Sequence, residues 1–246
     1  MQEDSFRLIA PFYDELMAQV PYDEWVEYFR LILTLNNAKP KTLLDVCCGT
    51  GTMAEMFAKL GFTVHGFDLS EPMIEVAQAR AISTGLPISF EVADAAKVKL
   101  AGKFDAAYSF FDSLNYLTSP ELLDSAIKNV AKHLNPGALF VFDLNTEYAF
   151  VKQMFDQQDM RKKAKLRYDW KGDYDHEARQ IAVTMDFWWE GEHVQVVQRQ
   201  RAHPLDEVRD MLLEAGFKPV RVYHSYTLDR PRKSSDRVHF VARLPE

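Results

Sequence analysis

An acid and two glycines follow one another closely near residue 45. Asp45 lies in the apolar run that begins at Thr42, and Gly49 and Gly51 precede a helical pattern that starts at Thr52. Glycine suits a turn in which the backbone takes unusual angles or a ligand approaches closely. The first N–H groups of the helix have no intrahelical partners and point toward that turn, where they are available to a ligand. The carboxylate of Asp45 suits a cationic or amine-bearing ligand better than a pyrophosphate. A structural role, in which the carboxylate accepts hydrogen bonds from backbone N–H groups of the loop, fits the sequence equally well.

Two more acids end the next two predicted strands. Asp68 ends the run 62–68, and Asp94 ends the run 88–94. Asp68 lies at about the distance past the glycines at which dinucleotide-binding folds place a ribose-binding carboxylate. Asp94 could accept a hydrogen bond from an exocyclic amine of a purine. Because the carboxyl ends of strands in a doubly wound sheet converge on one crevice, the three acids predict a single binding site.

The sequence first predicts helices over 4–35, with breaks at Pro11 and Pro21. Predicted strands and helices then alternate from residue 42 to residue 143. This alternation predicts a parallel sheet with right-handed crossovers. The predicted strands are 42–47, 62–68, 88–94, 104–110 and 138–143. The predicted helices are 52–60, 70–81 with Ser70 as its cap, and 120–134, which Asn135-Pro136-Gly137 ends.

The pattern changes after residue 145. Residues 146–159 predict a helix, whereas 163–202 alternate with a period of two and carry a hairpin signal at Glu190-Gly191-Glu192. A helix over 205–215 and strands over 217–226 and 237–244 follow. We therefore expect three parts: a helical cap and Rossmann-like core over 1–160, an antiparallel β insertion over 161–203 that covers the crevice, and a return to the core over 204–246.

Composition excludes several classes of function. The 246 residues carry a formal net charge of −7, which disfavours a nucleic-acid surface. No run is long and apolar enough to span a membrane, and the first residues do not resemble a signal peptide. Cys47 and Cys48, the two cysteines, are adjacent and suit a reduced compartment. We expect a cytoplasmic protein without nucleic-acid or membrane partners and without a metal site.

The motif set as a whole resembles that of the class I S-adenosylmethionine-dependent methyltransferases. Residues 44–51 resemble the first motif, 66–70 with Met73 the second, and 92–95 the third, and 134–139 and 213–217 resemble later landmarks. The departures are Cys47 and Cys48, where smaller residues are commoner, and Thr52, where a third glycine is usual. Residues 12–17 and 20–25 resemble a narrower group, the YqeM-like proteins and the amino-sugar N-methyltransferases.

The resemblance implies an α/β fold: a Rossmann-like, seven-stranded, mostly parallel sheet with helices on both faces, an antiparallel last strand and an inserted antiparallel β lid. It implies S-adenosyl-L-methionine as the cofactor. Its residue roles are Gly49 and Gly51 near the methionine part, Asp68 at the ribose, Asp94 and Ala95 at the adenine, Leu69 and Met73 packing on the adenine, Phe110 and Tyr116 on the methyl-transfer side, and Tyr13 near the amino-acid end. Asp45 is a further cofactor-binding candidate, because its carboxylate suits an amine-bearing ligand.

The hypothesis for function is in-line methyl transfer to nitrogen or oxygen of a small-molecule acceptor, by a monomer or homodimer. The sulfonium is already a strong electrophile, so the protein mainly aligns the reacting groups. Tyr13 and Asn115 are the candidates for orienting the acceptor, with Asp112 and His176 as further candidates.

Two alternatives stay open at this stage. The glycine turn and Asp68 also suit an NAD(P)-dependent oxidoreductase, but Asp45 and Asp94 count against it, and so does the lack of a Tyr-x-x-x-Lys pair. A protein that binds the cofactor without turnover is the other alternative.

Overall fold

Two β-sheets organise the chain in the computed structural model, which describes residues 5–246. The strands are β1 Thr42–Val46, β2 Thr63–Asp68, β3 Ile88–Val92, β4 Phe104–Ser109, β5 Leu134–Asn145, β6 Gln157–Asp159, β7 Leu166–Asp175, β8 Gln180–Trp189, β9 Glu192–Arg201, β10 Val220–His224 and β11 Arg237–Arg243. The larger sheet has the order β10-β11-β5-β4-β1-β2-β3. Strands β1 to β5 are parallel, and β11 runs antiparallel between β5 and β10. The expected Rossmann-like sheet is confirmed.

Helices cover both faces of this sheet. They are α1 Ser5–Ile9, α2 Tyr13–Leu16, α3 Tyr22–Leu35, α4 Thr52–Lys59, α5 Glu71–Thr84, α6 Pro120–Lys132, α7 Glu147–Val151 and α8 Leu205–Glu214. Helices α3, α4 and α5 bury Phe29, Phe57 and Ile74 in one apolar cluster, and α6 and α8 bury residues such as Ile127 and Leu212 in another. None of the helices described between residues 5 and 246 is long and apolar enough to cross a bilayer.

The start of β5 differs from the sequence prediction. Helix α6 ends at Lys132, and the strand begins at Leu134 rather than at residue 138. Leu134 pairs with Phe104, and the register then shifts before Ala106 pairs with Leu139. Gly137, with φ of +77°, accommodates this irregularity. The segment expected to end the helix is therefore the irregular beginning of a strand.

The helix predicted over residues 146–159 is wrong beyond its first turns. Helix α7 ends at Val151, Gln153 takes a φ of +53°, and the chain continues into β6. In that strand Gln157 pairs with Trp170 of β7. The apolar spacing suggested a helix, but pairing with a distant strand determines the structure of this segment. Ser70 also differs from expectation, because it occupies the N-cap position of α5 without a capping hydrogen bond from its side chain.

The smaller sheet forms a lid, which we define as strands β6 to β9, antiparallel in the order β6-β7-β8-β9. Its tip is a two-residue turn in which Glu190 and Gly191 have φ of +52° and +89°, as a type I′ hairpin requires. The hairpin prediction is confirmed.

The N-terminal residues 5–16, which we call the cap, contact both the lid and the core. The Phe12 ring lies 5.2 Å from the Phe187 ring and 5.3 Å from the Trp189 ring, measured between centroids, and both partners belong to the lid. Met73 of α5 is buried in the same apolar cluster. The cap therefore joins the lid to the helix that follows β2.

Candidate active site

The turn after β1 has three residues in the left-handed region. Cys47, Gly49 and Gly51 have φ of +62°, +55° and +76°. A Cβ on Gly51 would lie 2.5 Å from Cζ of Phe90, whereas a Cβ on Gly49 would meet no atom within 4 Å. Gly51 is thus required by packing against β3, and Gly49 exposes its backbone to open space where a ligand can approach.

The acid at the end of β2 holds this turn in place. Asp68 accepts the backbone N–H of Gly49 through Oδ2 and that of Ser70 through Oδ1, each at 2.9 Å. One carboxylate therefore connects the glycine turn to the beginning of α5. The predicted proximity of Asp68 to the glycines is seen directly in these contacts.

The acid of β1 is buried beneath the turn. Asp45 is 4% exposed, and its Oδ2 accepts the hydroxyl of Tyr108 at 2.9 Å. Burial raises the pKa of Asp45 to about 7, the nearby charge of Asp68 adds to the rise, and the Tyr108 hydrogen bond opposes it. A cationic group brought next to this carboxyl would favour its ionised form, because opposite charges lower a carboxyl pKa.

The third acid lies just beyond β3. Asp94 accepts the backbone N–H of Ala96 at 2.9 Å, and the Nζ of Lys97 lies 3.2 Å from its other oxygen. The pKa of the Cys47 thiol is raised well above its usual range, first by burial and then by the negative charges of Asp68, Asp45 and Asp94. All three acids are therefore close enough to Cys47 for their charges to act on its thiol, and their strands β1, β2 and β3 are parallel neighbours.

A small cavity of about 60 Å³ lies between the glycine turn and a wall of aromatic side chains. Its lining includes Asp45, Cys47, Cys48, Gly49, Thr50, Thr52, Met53, Tyr108, Phe110 and Ser113, together with the aromatic residues Tyr13, Tyr22, Trp25 and Phe111. The Trp25 ring lies 5.3 Å from both the Tyr22 and Phe111 rings. Burial raises the pKa of the Tyr13 hydroxyl well above its usual range, so this hydroxyl keeps its proton.

The cap reaches the glycine turn through a cluster of ionic contacts. Asp14 accepts the Thr50 hydroxyl at 2.6 Å and an Arg80 N–H at 2.5 Å. Arg80 also donates through Nε to the carbonyl of Thr50 at 3.0 Å and through Nη1 to Glu55 at 2.8 Å. These contacts close the cap over the turn, and none of the four residues was among the sequence candidates.

A second polar network lies beside the cavity, where β4, β5 and β11 meet. Arg237 pairs with Asp143 and, at 2.8 Å, with Asp112, whose backbone N–H donates to Asp143 at 2.9 Å. Gln200 of the lid donates to the other oxygen of Asp112 at 2.7 Å. Phe111 and Asp112 both have positive φ, of +66° and +49°. Consecutive residues of this kind are strained, and such strain clusters at ligand-binding sites.

Comparison with known proteins identifies the family. The family described as Methyltransferase domain matches residues 43–137. YqeM of Bacillus subtilis (strain 168), a protein named as an inferred methyltransferase, is 31% identical over 238 residues, which cover 95% of this chain and 94% of YqeM. The chain belongs to the class I S-adenosylmethionine-dependent methyltransferases.

Two further similarities concern the whole fold and a part of the sequence of this methyltransferase. A crystal structure of an S-adenosylmethionine-dependent methyltransferase from Clostridium acetobutylicum ATCC 824 superimposes with a TM-score of 0.85 at 22% identity, covering 99% of this chain and 100% of that one. The dTDP-3-amino-3,4,6-trideoxy-alpha-D-glucopyranose N,N-dimethyltransferase of Streptomyces venezuelae is 38% identical over 102 residues, which are 42% of this chain and 41% of that enzyme. The expected family, fold and cofactor are thereby confirmed.

Some of the site residues predicted from the sequence lie together in the structure of this methyltransferase. Tyr13, Asp45, Gly49 and Phe110 line the cavity, and Asp68 contacts the turn. The other predicted residues lie around it: Gly51 and Ala95 are buried, Asp94 lies at the end of β3, Leu69 is 70% exposed, Met73 is buried under the cap, and Tyr116 donates to Gln198 of the lid.

Asn115 makes structural contacts with the backbone. It is fully buried, donates to the carbonyls of Asn145 and Arg201 at 3.0 and 2.8 Å, and accepts the N–H of Asn145 at 2.9 Å. These bonds join the loop after β4 to β5 and to the lid. His176 is exposed in the turn between β7 and β8 and does not line the cavity.

Proposed function

We propose that the protein transfers a methyl group from S-adenosylmethionine to an amine nitrogen of a small-molecule acceptor. The observation that carries the proposal is the open backbone at Gly49, whose N–H donates to Asp68 and which lines one cavity with Asp45. S-adenosylmethionine joins a nucleoside to an amino acid through a sulfonium, so it presents hydroxyl and amine donors at its two ends. The donor set of this ligand matches a site built from carboxylates.

The residues of the turn fit this ligand one by one. We infer that Gly49 approaches the methionine part, because nothing occupies the space next to its Cα. Asp45, whose pKa is raised to about 7, is placed to accept the ammonium of the amino acid. Asp68 takes the ribose hydroxyls and Asp94 the adenine amine, with the exposed Leu69 packing on the base. Phe110 and Tyr116 lie toward the methyl-transfer side.

The protein's own contribution to the reaction is alignment and exclusion of water. When bound, the sulfonium supplies an electrophilic methyl group. The aromatic wall of Tyr13, Tyr22 and Trp25 would confine an acceptor against the glycine turn. An amine attacks only after it has lost its proton. Because Tyr13 keeps its own proton, we assign it to orienting the acceptor rather than to removing a proton.

Several features favour an amine as the acceptor. Among the described residues that line the cavity, none is lysine or arginine, so an anionic acceptor would find no cation there. The Asp112–Arg237–Asp143 network carries two carboxylates for one guanidinium, which suits a cationic molecule. The Streptomyces venezuelae relative is named as an N,N-dimethyltransferase of an amino sugar, and its match covers 42% of this chain.

The proposal is tested by mixing the protein with S-adenosylmethionine and matched acceptors. Release of S-adenosylhomocysteine is measured by mass spectrometry with a panel of amines, phenols and carboxylic acids. We expect release with at least one amine, and none with the matched phenol or acid. Release with a phenol or acid but with no amine would contradict nitrogen as the acceptor atom. No release with any compound, despite binding of S-adenosylmethionine, would favour a protein that binds the cofactor without turnover.

A further inference from the structure

Two buried glutamines of the lid each have one amide atom without a hydrogen-bond partner among the described residues. Gln198 and Gln200 lie two residues apart on β9, and each is 2% exposed. Because side chains two apart on a strand share a face, both point toward the core. Their Cα atoms are about 7 Å apart, the length of two residues in a strand.

Each glutamine uses one end of its amide on the core. The Tyr116 hydroxyl donates to Oε1 of Gln198 at 2.7 Å, and Nε2 of Gln200 donates to Asp112 at 2.7 Å. The opposite ends, Nε2 of Gln198 and Oε1 of Gln200, have no hydrogen-bond partner among residues 5–246. A flipped amide on Gln200 would set its oxygen against the Asp112 carboxylate, so the unpaired oxygen follows from the chemistry of the contact.

Unpaired buried polar groups are costly, and they are rare unless they serve a ligand or a mechanism. Here a donor and an acceptor lie side by side, next to the cavity and close to Asp112. The hydroxyl of Tyr226 is also buried without a hydrogen-bond partner among the described residues. Burial raises the pKa of this hydroxyl, and the charge of Asp112 adds to the rise. The two glutamine amides, where β9 packs on the loop after β4, therefore form a set of hydrogen-bonding positions that is incomplete among the described residues.

We propose that Gln198, Gln200 and Asp112 form the recognition subsite for the methyl acceptor, and that this subsite takes an amino alcohol rather than an anion. The inference rests on the proposed function, because it places the acceptor beside the cofactor crevice. The spare acceptor sites on Gln200 and Asp112 suit the N–H groups of an amine. The spare donor on Gln198 suits a hydroxyl oxygen of the same molecule.

The charges of the cluster determine what the subsite rejects. Arg237 is already paired with Asp112 and Asp143, so its guanidinium is not available to a ligand carboxylate or phosphate. Two carboxylates and one guanidinium leave an excess of negative charge, which would repel an anion in this buried location. Binding requires the lid to separate from the loop after β4, since the unpaired atoms are buried in the closed arrangement.

Three probes that differ by one group test the chemistry. Serinol carries an amine between two hydroxymethyl groups, glycerol replaces the amine by a hydroxyl, and serine replaces one hydroxymethyl by a carboxylate. Their binding to the protein saturated with S-adenosylhomocysteine is measured by saturation-transfer NMR titration. We expect serinol to bind at least about fivefold more tightly than glycerol or serine. Serine binding as tightly as serinol, or no saturable binding of serinol, would overturn the proposal.

Three variants test the residues. Gln198→Met and Gln200→Met keep the side-chain length and remove the amide, and Gln195→Met is the matched control on the exposed face of the same strand. Each of the first two should weaken serinol binding about tenfold, and the control should not. Wild-type affinity for serinol in either variant would overturn the proposed pair. Binding of S-adenosylhomocysteine to the wild type is measured first by calorimetry. If the wild type does not bind it, the proposed function fails, and the experiment says nothing against the subsite.

Discussion

Asp14 of the cap and Arg80 of α5 form an ion pair, with Oδ2 and Nη2 2.5 Å apart, across the edge of the glycine turn. Arg80 holds the carbonyl of Thr50 at the same time, and Asp14 holds the Thr50 hydroxyl. One pair of side chains thereby joins two distant segments to the glycine turn. If the cofactor binds at this turn beneath Tyr13, as proposed, we expect its entry and release to require this pair to open.

Replacing Arg80 by alanine should therefore speed the release of S-adenosylmethionine. The change removes three contacts worth about 0.5 kcal/mol each, so we expect about tenfold faster dissociation. Stopped-flow fluorescence, with Trp25 in the cavity wall as reporter, measures the rate. Arg30→Ala, which removes an exposed pair with Glu27 on α3, is the control and should leave the rate unchanged. Equal dissociation rates in the two variants would show that the pair does not retain the cofactor.

The two glycines of the turn should respond differently to alanine. Gly51→Ala places a methyl group against the Phe90 ring as well as in a left-handed conformation, and we expect a loss of about 3 kcal/mol in the free energy of unfolding. Gly49→Ala meets no atom and should cost about 1 kcal/mol from backbone strain alone. Urea unfolding measures both losses.

Gly49→Ala should nevertheless weaken S-adenosylmethionine binding more than its small loss of stability explains. Its new methyl group projects into the space assigned to the ligand, and calorimetry should show at least about tenfold weaker binding. Wild-type affinity in a folded Gly49→Ala protein would remove Gly49 from the ligand site.

The affinity for S-adenosylmethionine should rise with pH up to about neutrality. The pKa of Asp45 is raised to about 7, so below this pH the free protein holds a proton that must leave when an ammonium binds. The same raised pKa lowers the free energy of unfolding of the free protein as the pH rises from about 4, the pKa of Asp45 in the unfolded chain, to about 7, its pKa in the folded protein. In this range the unfolded chain has lost the proton that the folded protein still holds.

Calorimetry at pH 6 in two buffers of different ionisation enthalpy measures the proton released on binding. We expect release from the wild type and a smaller release from Asp45→Asn, which cannot lose that proton. Identical proton release from both proteins would show that Asp45 is not the group that responds to the ligand.

Asn115 should prove important for stability. Its amide joins the loop after β4 to the backbone of β5 and of the lid through three hydrogen bonds. Asn115→Ala leaves buried backbone groups unpaired, and we expect a loss of about 3 kcal/mol in the free energy of unfolding. Asn129→Ala, which removes a 3.4 Å bond to Ala95, should lose much less. A stable Asn115→Ala protein with reduced turnover alone would instead support a direct contact with the acceptor.

The sequence predicted the parallel core because each of its strands is an apolar run followed by a turn or an acid. Asp45, Asp68 and Asp94 could be placed together from topology alone, since the carboxyl ends of adjacent parallel strands meet. The irregular start of β5 could not be predicted, because Asn135-Pro136-Gly137 has the composition of a helix stop. Residues 157–159 were mistaken for helix because their strand pairing depends on Trp170.

The ionic contacts of the site also escaped sequence reasoning. Asp14 and Arg80 are 66 residues apart, and Asp112 and Arg237 are 125 apart. Neither pair forms a motif, and acidic and basic residues on helices usually indicate a solvated surface. Their roles follow from burial and from the loops that the fold brings next to them. The lid glutamines likewise occupy positions that the period-two pattern assigns to one face without indicating what they contact.

Calorimetric titration of wild type and Asp68→Ala with S-adenosylmethionine tests the central claim most directly. Asp68 supports the Gly49 turn and is assigned to the ribose, so its loss removes both functions. We expect saturable one-to-one binding to the wild type and at least about hundredfold weaker binding to a variant whose folding is verified by circular dichroism. Equal affinity in the two proteins would contradict the account.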